Sequence, residues 1–403
     1  MLFDETEYDW INNGNISQYR FSQFGKQLYE EERYNEFIDI YEQFSDVEFN
    51  KFCKHWYTWS LYKAMRMDAT NDIATDEIIL EKIIANCEQS PTIKEHFTPF
   101  VLSIRYLVKK IKNSNNINYE KIHYWLTKLN PDILSEDKKE FKSKEGKDYT
   151  NVSSKEFYYT MLIKALVKLE KFEICIVISE IALKSFSRWN YKNDLWIKSR
   201  QLYSICMTST DFDKDIKTYL DFVTKENKWF LYHKISNIYF SNAKFQESII
   251  YASKGFVLGT KRDQDMMVNL IYDLGLLLVN KSEEVAVKLL QLCYQIRLKN
   301  GWNIRDALKY YVKLYDISKS SKIDFEKLQE SVICFTGMSE GKIKMFNESF
   351  GFIRASDQKD YYFKVNKKLF SSLSLRKKVF FDVVYNEKKG KNEASNLHFV
   401  KEN

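Results

Sequence analysis

The sequence predicts a multidomain chain: an all-α array of repeated helix pairs, then a small all-β barrel of five strands. Three observations predict it. Proline and glycine are scarce, at 3 and 11 of 403 residues, which favours long helices joined by short turns. Apolar residues recur at helical spacing from about residue 15 to about residue 335. From Gly341 onward the period drops to two, the spacing of strands.

Within the helical stretch one pattern recurs: an aromatic-rich helix, a polar turn carrying a basic-aromatic pair, then a second amphipathic helix. Tyr159 to Phe172 followed by Glu173 to Leu183 is one copy, and Tyr232 to Phe245 followed by Gln246 to Gly255 is another. Their Lys-Phe pairs, Lys171-Phe172 and Lys244-Phe245, lie 73 residues apart, the length of two helix-turn-helix repeats. A third copy begins near Phe21-Ser-Gln-Phe-Gly25 and turns at Arg33-Tyr34; weaker pairs follow around Leu270 to Ile296 and Arg305 to Leu328. Bulky residues occupy the early positions of each first helix (Tyr159, Leu162, Leu166; Tyr232, Ile235, Tyr239). Small ones stand where paired helices would cross (Cys175, Ala182; Ser248, Gly255), whereas the first copy keeps Gly25 but has Phe37 and Phe44. This pattern resembles the tetratricopeptide family. The resemblance implies a tetratricopeptide-like solenoid over residues 1–338, with a concave face suited to another protein or a second copy of the chain.

Two interruptions are expected. Pro91, Pro99 and Pro131 fall in one 41-residue window, marking helix boundaries. Residues 135–154 are polar and mixed in charge, and read as an irregular exposed loop. Cys53, Cys87, Cys175, Cys206, Cys293 and Cys334 are scattered without a Cys-x-x-Cys pair, as for reduced thiols in a cytoplasmic protein. The acidic start Met1-Leu-Phe-Asp-Glu-Thr-Glu has no apolar signal region, and no apolar run reaches the length of a membrane span.

The last 63 residues hold 14 Lys/Arg against 7 Asp/Glu, a net charge of +7. The whole chain is also +7, so the first 340 residues are neutral. The excess charge is interleaved with rings in Gly341-Lys-Ile-Lys-Met-Phe-Asn-Glu-Ser-Phe-Gly-Phe-Ile353 and Asp360-Tyr-Tyr-Phe-Lys364. Alternation places Phe350 and Phe352 on one face of their strand and Tyr362 with Lys364 on one face of the next, so that the three rings share the expected outer face. Further strands read Lys378 to Tyr385 and near Ala394 to Leu397, with a Lys388-Lys-Gly-Lys391 turn between them. Five short strands in so few residues fit an OB-type barrel over 340–403. Cations attract phosphates and exposed rings stack unpaired bases, so the block points to single-stranded nucleic acid.

This block resembles the bacterial cold-shock domain. Gly341-Lys-Ile-Lys-Met-Phe-Asn347 matches the family's Gly-x-Val-Lys-Trp-Phe-Asn apart from the tryptophan. Phe350-Gly-Phe-Ile353 matches the first ribonucleoprotein motif, Asp360-Tyr-Tyr-Phe-Lys364 the second, and Ala394-Ser-Asn-Leu397 the closing Ala-x-Asn-Val. The resemblance covers about one sixth of the chain. It implies a base-stacking face of Lys344, Met345, Phe350, Phe352, Tyr362 and Lys364, with Phe370 in the following loop. Arg354, Lys367 and Lys368 are the neighbouring cations expected to draw in the backbone. Met345 stands where the family has its stacking tryptophan, Lys364 where it has histidine, and the hairpin after Asn347 is shorter and lacks Lys-Gly.

Other chemistry finds little support. Cys53-Lys-His55 lacks a partner pair for a metal, and Asp211-Phe-Asp-Lys-Asp215 lacks the glycine and distal glutamate of a calcium loop and reads as helix capping. There is no Gly-rich phosphate loop, Gly-x-Ser-x-Gly or His-Glu-x-x-His. The expectation is a non-enzymatic adaptor without cofactor or metal, whose barrel binds single-stranded RNA, or less readily DNA, and whose helices recruit a protein. The alternatives are an interaction scaffold whose barrel has lost nucleic acid, and a cryptic nuclease or other enzyme in the helical region.

Overall fold

A computed structural model describes residues 17–399, apart from 45, 69–71, 88–97, 115, 138, 143–147, 187, 318–321, 366–369, 372 and 387, and shows the backbone alone for 139–142 and 148–151. Sixteen α-helices among the described residues precede a closed five-stranded barrel of the OB type. The chain divides into two compact units, Met1–Thr208 and Ser209–Asn403.

The first unit contains α1 (Gln18–Glu30), α2 (Tyr34–Gln43), α3 (Lys51–Met67), α4 (Ile73–Asn86), α5 (Pro99–Asn113), α6 (Tyr119–Thr127), α7 (Ser154–Lys168), α8 (Phe172–Ser185) and α9 (Asn193–Thr208). Consecutive helices pack, and α3 also touches α1 and α5 while α9 touches α7. Alternate helices therefore stand side by side. The N-terminal core is built from rings: Tyr41 stacks on Tyr57 at 3.8 Å and Phe21 on Phe49 at 4.9 Å. Gly25 faces the Phe37 ring so closely that a Cβ there would lie 2.3 Å from Cζ. The large residue of this copy has thus crossed from one helix to the other, which explains Phe37 at a position expected to be small.

The basic-aromatic pairs mark one recurring turn. Second-unit helices α11 (Trp229–Ser241) and α12 (Phe245–Leu258) share it with α1–α2 and α7–α8. Glu32, Glu170 and Ala243 adopt positive φ of 60°, 56° and 56°. The next amide, of Arg33, Lys171 or Lys244, then donates back to the carbonyl of Leu28, Leu166 or Tyr239 at 2.8–2.9 Å. This is a Schellman closure. The basic residue ends it, and the following aromatic begins the second helix.

Pro99 opens α5 behind a Thr98 cap, whose hydroxyl accepts from the Val101 amide at 3.2 Å. Pro131 opens a short 3-10 turn behind Asn130. Pro91 lies outside the described residues. The expected loop over 135–154 is corrected: Lys139–Lys142 (β1) and Asp148–Asn151 (β2) pair antiparallel, and Ser153 caps α7. Strands of four mostly polar residues leave no apolar alternation to detect.

In the second unit α10 (Phe212–Glu226) is capped by Asp211, as its spacing suggested. After α11 and α12 come α13 (Val268–Leu278), α14 (Glu283–Lys299), α15 (Asp306–Leu314) and α16 (Phe325–Val332). The barrel strands are β3 (Ser339–Phe346), β4 (Phe350–Ala355), β5 (Asp360–Lys364), β6 (Lys378–Asn386) and β7 (Lys391–Phe399), in the order β3-β4-β5-β7-β6. Neighbours are antiparallel except β5 and β7, which run parallel. Ile343, Ile353, Tyr361, Phe363, Val379, Phe381 and Ala394 fill the interior. The barrel is fastened to the helices before it. Lys254 of α12 pairs with Asp382 of β6 at 2.6 Å, with both side chains about 15% exposed, and Asn396 donates to the other Asp382 oxygen at 3.0 Å.

A β-carbon at positive φ is strained where glycine is not. Ala243→Gly is therefore expected to raise the unfolding free energy by about 0.5–1 kcal/mol, read from urea midpoints. The same change at Ser248, inside α12, is expected to lower it.

Candidate nucleic-acid interface

In β4 and β5 the pleat separates two sets of residues. Gly351, Ile353, Tyr361 and Phe363 are buried, so Phe350, Phe352 and Tyr362 are turned to the outer face, where each is half-buried. Register completes the grouping, since Phe352 pairs with Tyr362 and Phe350 with Lys364. Ring centroids lie 6.0 Å apart for Phe350–Phe352, 6.0 Å for Phe350–Tyr362 and 5.9 Å for Phe352–Tyr362. Phe350 and Tyr362 are within 21° of parallel, and Phe352 meets both edge-on. Gly351 is required beneath them, because a Cβ there would fall 2.4 Å from Phe363 Cζ and 2.9 Å from the Met345 carbonyl oxygen.

Met345 lies opposite Phe352 and is 46% exposed. A register shift between Ile343 and Met345 breaks the alternation of β3, so that Lys344 and Met345 are both exposed. The cations are arranged less simply than the sequence suggests. Lys344 reaches Asp360 at 2.6 Å, and Arg354, which faces Asp360 in register, holds it through Nε and through Nη2 at 2.9 Å. Hydrogen bonds from Arg354, then Lys344, keep the Asp360 carboxyl well below the usual carboxylate range. Two of the expected phosphate-seeking groups therefore share a carboxylate. Lys364 is exposed beside Phe350.

Phe370 is 40% exposed, and its ring meets Phe346 edge-on at 5.8 Å. Lys367 and Lys368 lie outside the described residues. One residue of this face escaped the sequence reading. Lys389 sits 4.3 Å from the centre of the Tyr362 ring and pairs with Glu393 at 2.8 Å. That hydrogen bond, then one from Asn386, lowers the Glu393 pKa, and Glu393 in turn raises that of Lys389. The basic turn Lys388-Lys-Gly-Lys391 was visible, but only the parallel pairing of Tyr362 with Glu393 brings it over the rings. Asp360 was quoted only as part of a motif, and its two cation partners were not foreseen. Val383, Val384 and Tyr385 add exposed apolar surface on β6.

The arrangement offers flat apolar faces bordered by ammonium and guanidinium groups, which suits stacking with charge attraction at its edge. No helix among the described residues is long and apolar enough to cross a membrane. The chain matches no protein-family model, and a search of curated proteins returns no significant match.

Because the Asp360 pKa is depressed on folding, its stabilising contribution is present above the unfolded value of about 4 and fades as pH falls through the lower folded value. In a carbon-13 NMR titration its carboxyl is expected to remain ionised well below pH 4. Arg354→Ala is expected to return the titration toward that range. An ordinary Asp360 titration in the unsubstituted protein would exclude the clamp.

Proposed function

We propose that the barrel binds single-stranded nucleic acid, RNA in preference to DNA, and that the helical region recruits a protein partner. The chain then acts as a non-enzymatic cytoplasmic adaptor. The observation that carries this reading is the group of three half-exposed rings, each pair within 6.0 Å, on one outer face of the barrel. Splayed bases stack on Phe350, Phe352 and Tyr362, while Lys364 and Lys389 attend the backbone. Lys344 and Arg354 contribute by exchanging Asp360 for a phosphate. Exposed ion pairs contribute little to stability, so this exchange has a low cost. Stacking therefore leads and electrostatics follows.

For the helical region, α8 supports partner recruitment. Ile174, Val177 and Ile181 are 51%, 57% and 46% exposed and share a face of that helix. An uncovered apolar stripe of this kind suits a protein contact.

The test is fluorescence anisotropy with short labelled oligonucleotides of matched RNA and DNA sequence. Each stacking ring is worth about 1–3 kcal/mol per base. Phe350→Ala/Phe352→Ala is thus expected to weaken binding at least tenfold, and Met345→Trp to strengthen it by about the contribution of one ring. Absence of binding by the unsubstituted chain, at every salt concentration, would assign the barrel to a protein-docking role instead.

A further inference from the structure

We propose that the first unit carries a second nucleic-acid contact: a basic, ring-lined band across α3, α5, α7 and α9 that holds the phosphate backbone of a single strand. It uses none of the barrel's residues, but the choice of nucleic acid among polyanions rests on the reading above.

Charge is segregated here against a neutral background, since the first 340 residues balance. Arg105, Lys109 and Lys112 recur at i, i+4 and i+7 on α5, and so share one face. Lys164 and Lys168 do the same on α7, and Arg200 and Arg66 extend the band onto α9 and α3. Rings from α3, α6, α7 and α9 lie against these cations. Arg105 and Lys109 lie 5.0 and 5.9 Å from the Phe157 ring, Lys164 5.9 Å from Tyr119, Arg200 5.8 Å from Trp196, and Arg66 5.7 Å from Tyr62.

The cations act on one another. The charges felt by Lys164 are those of Arg200, Lys112 and Lys168, and those felt by Lys109 are Arg105, Lys112 and Arg66. Lys112 belongs to both sets, which joins them into one cluster. Burial first, then these neighbours, pushes the Lys164 ammonium down to about 8 and lowers Lys109 as well. Lys109, Lys112, Lys164 and Lys168 have no carboxylate partner among the described residues. Two nearby carboxylates are engaged with other groups: Glu170 acts on Tyr203, and Glu120 pairs with Lys171 at 3.9 Å.

A partly desolvated cluster of like charges is unfavourable alone and is relieved by an anion. Its breadth over four helices suits a chain of phosphates better than one phosphate. The interleaved rings suit a ligand with π faces better than an acidic peptide.

The experiment uses the full chain and labelled oligouridylate of about 30 nucleotides, with anisotropy measured from about 50 to 300 mM salt. Lys109→Gln/Lys112→Gln/Lys168→Gln alters three exposed side chains, and Lys112→Glu alone is the second variant. Each is made in the parent chain and in Phe350→Ala/Phe352→Ala. The triple variant is expected to weaken binding about tenfold at low salt. It should also flatten the log affinity against log salt slope by about 2, at roughly 0.7 per phosphate lost. Both effects are expected in both backgrounds. Unchanged affinity and slope in both would overturn the band. Displacement of the oligonucleotide by polyglutamate at equal charge would overturn nucleic acid as its occupant. Loss through the band with no effect of the ring substitutions would reject the barrel reading and leave the band standing.

Discussion

The outer face of the barrel depends on what fills its inside. Phe363 lies directly beneath Gly351, with no room for a β-carbon between them, and Ile353 and Tyr361 are buried beside it. Once those side chains are inside, strand geometry leaves Phe350, Phe352 and Tyr362 no direction but outward. The cost of exposing three rings is thus tied to closure of the core. A one-residue slip of β4 against β5 would exchange the two sets and empty the barrel.

Charge around that face is held in reserve. The C-terminal block has a large formal excess of cations. Yet Lys344 and Arg354 are occupied by Asp360, and Lys389 by Glu393. All of these groups are exposed enough for water and salt to compete. Carboxylates placed this way keep the cations oriented, and under the proposed reading a phosphate would have to displace them. Formal charge therefore overstates the attraction of the face. In the helical region the situation is reversed: residues 1–340 are neutral overall, but Lys112 and Lys164 stand among other cations.

Where local pattern and tertiary environment agree, the sequence is informative. The scarcity of breakers and the helical period identify the long α region, and the change to period two places the barrel start near Gly341, against Ser339 in the structure. Phe350, Phe352 and Tyr362 could be assigned to a common side because alternation and antiparallel pairing are local rules. Lys171-Phe172 and its counterparts were visible as repeats, although the positive-φ residue before each pair was not, because Glu170 and Ala243 are not glycine. Lys389 over Tyr362 depends on the parallel β5–β7 contact, which joins residues distant in sequence. Phe370 was grouped with the rings by its place in the motif, whereas its contact with Phe346 could not be read from the sequence. The cation band was missed because its members lie on four helices, and a balanced composition conceals such segregation.

Asp382 has one oxygen on Lys254 and the other on Asn396, with little water near either charge. Breaking such a pair from one side leaves a stranded ion, so the junction between α12 and β6 resists hinging. The barrel is thus not a lure swinging on a tether. It is held at a fixed bearing on α12, so under the proposed reading a strand has to approach the ring-bearing side rather than be reached for.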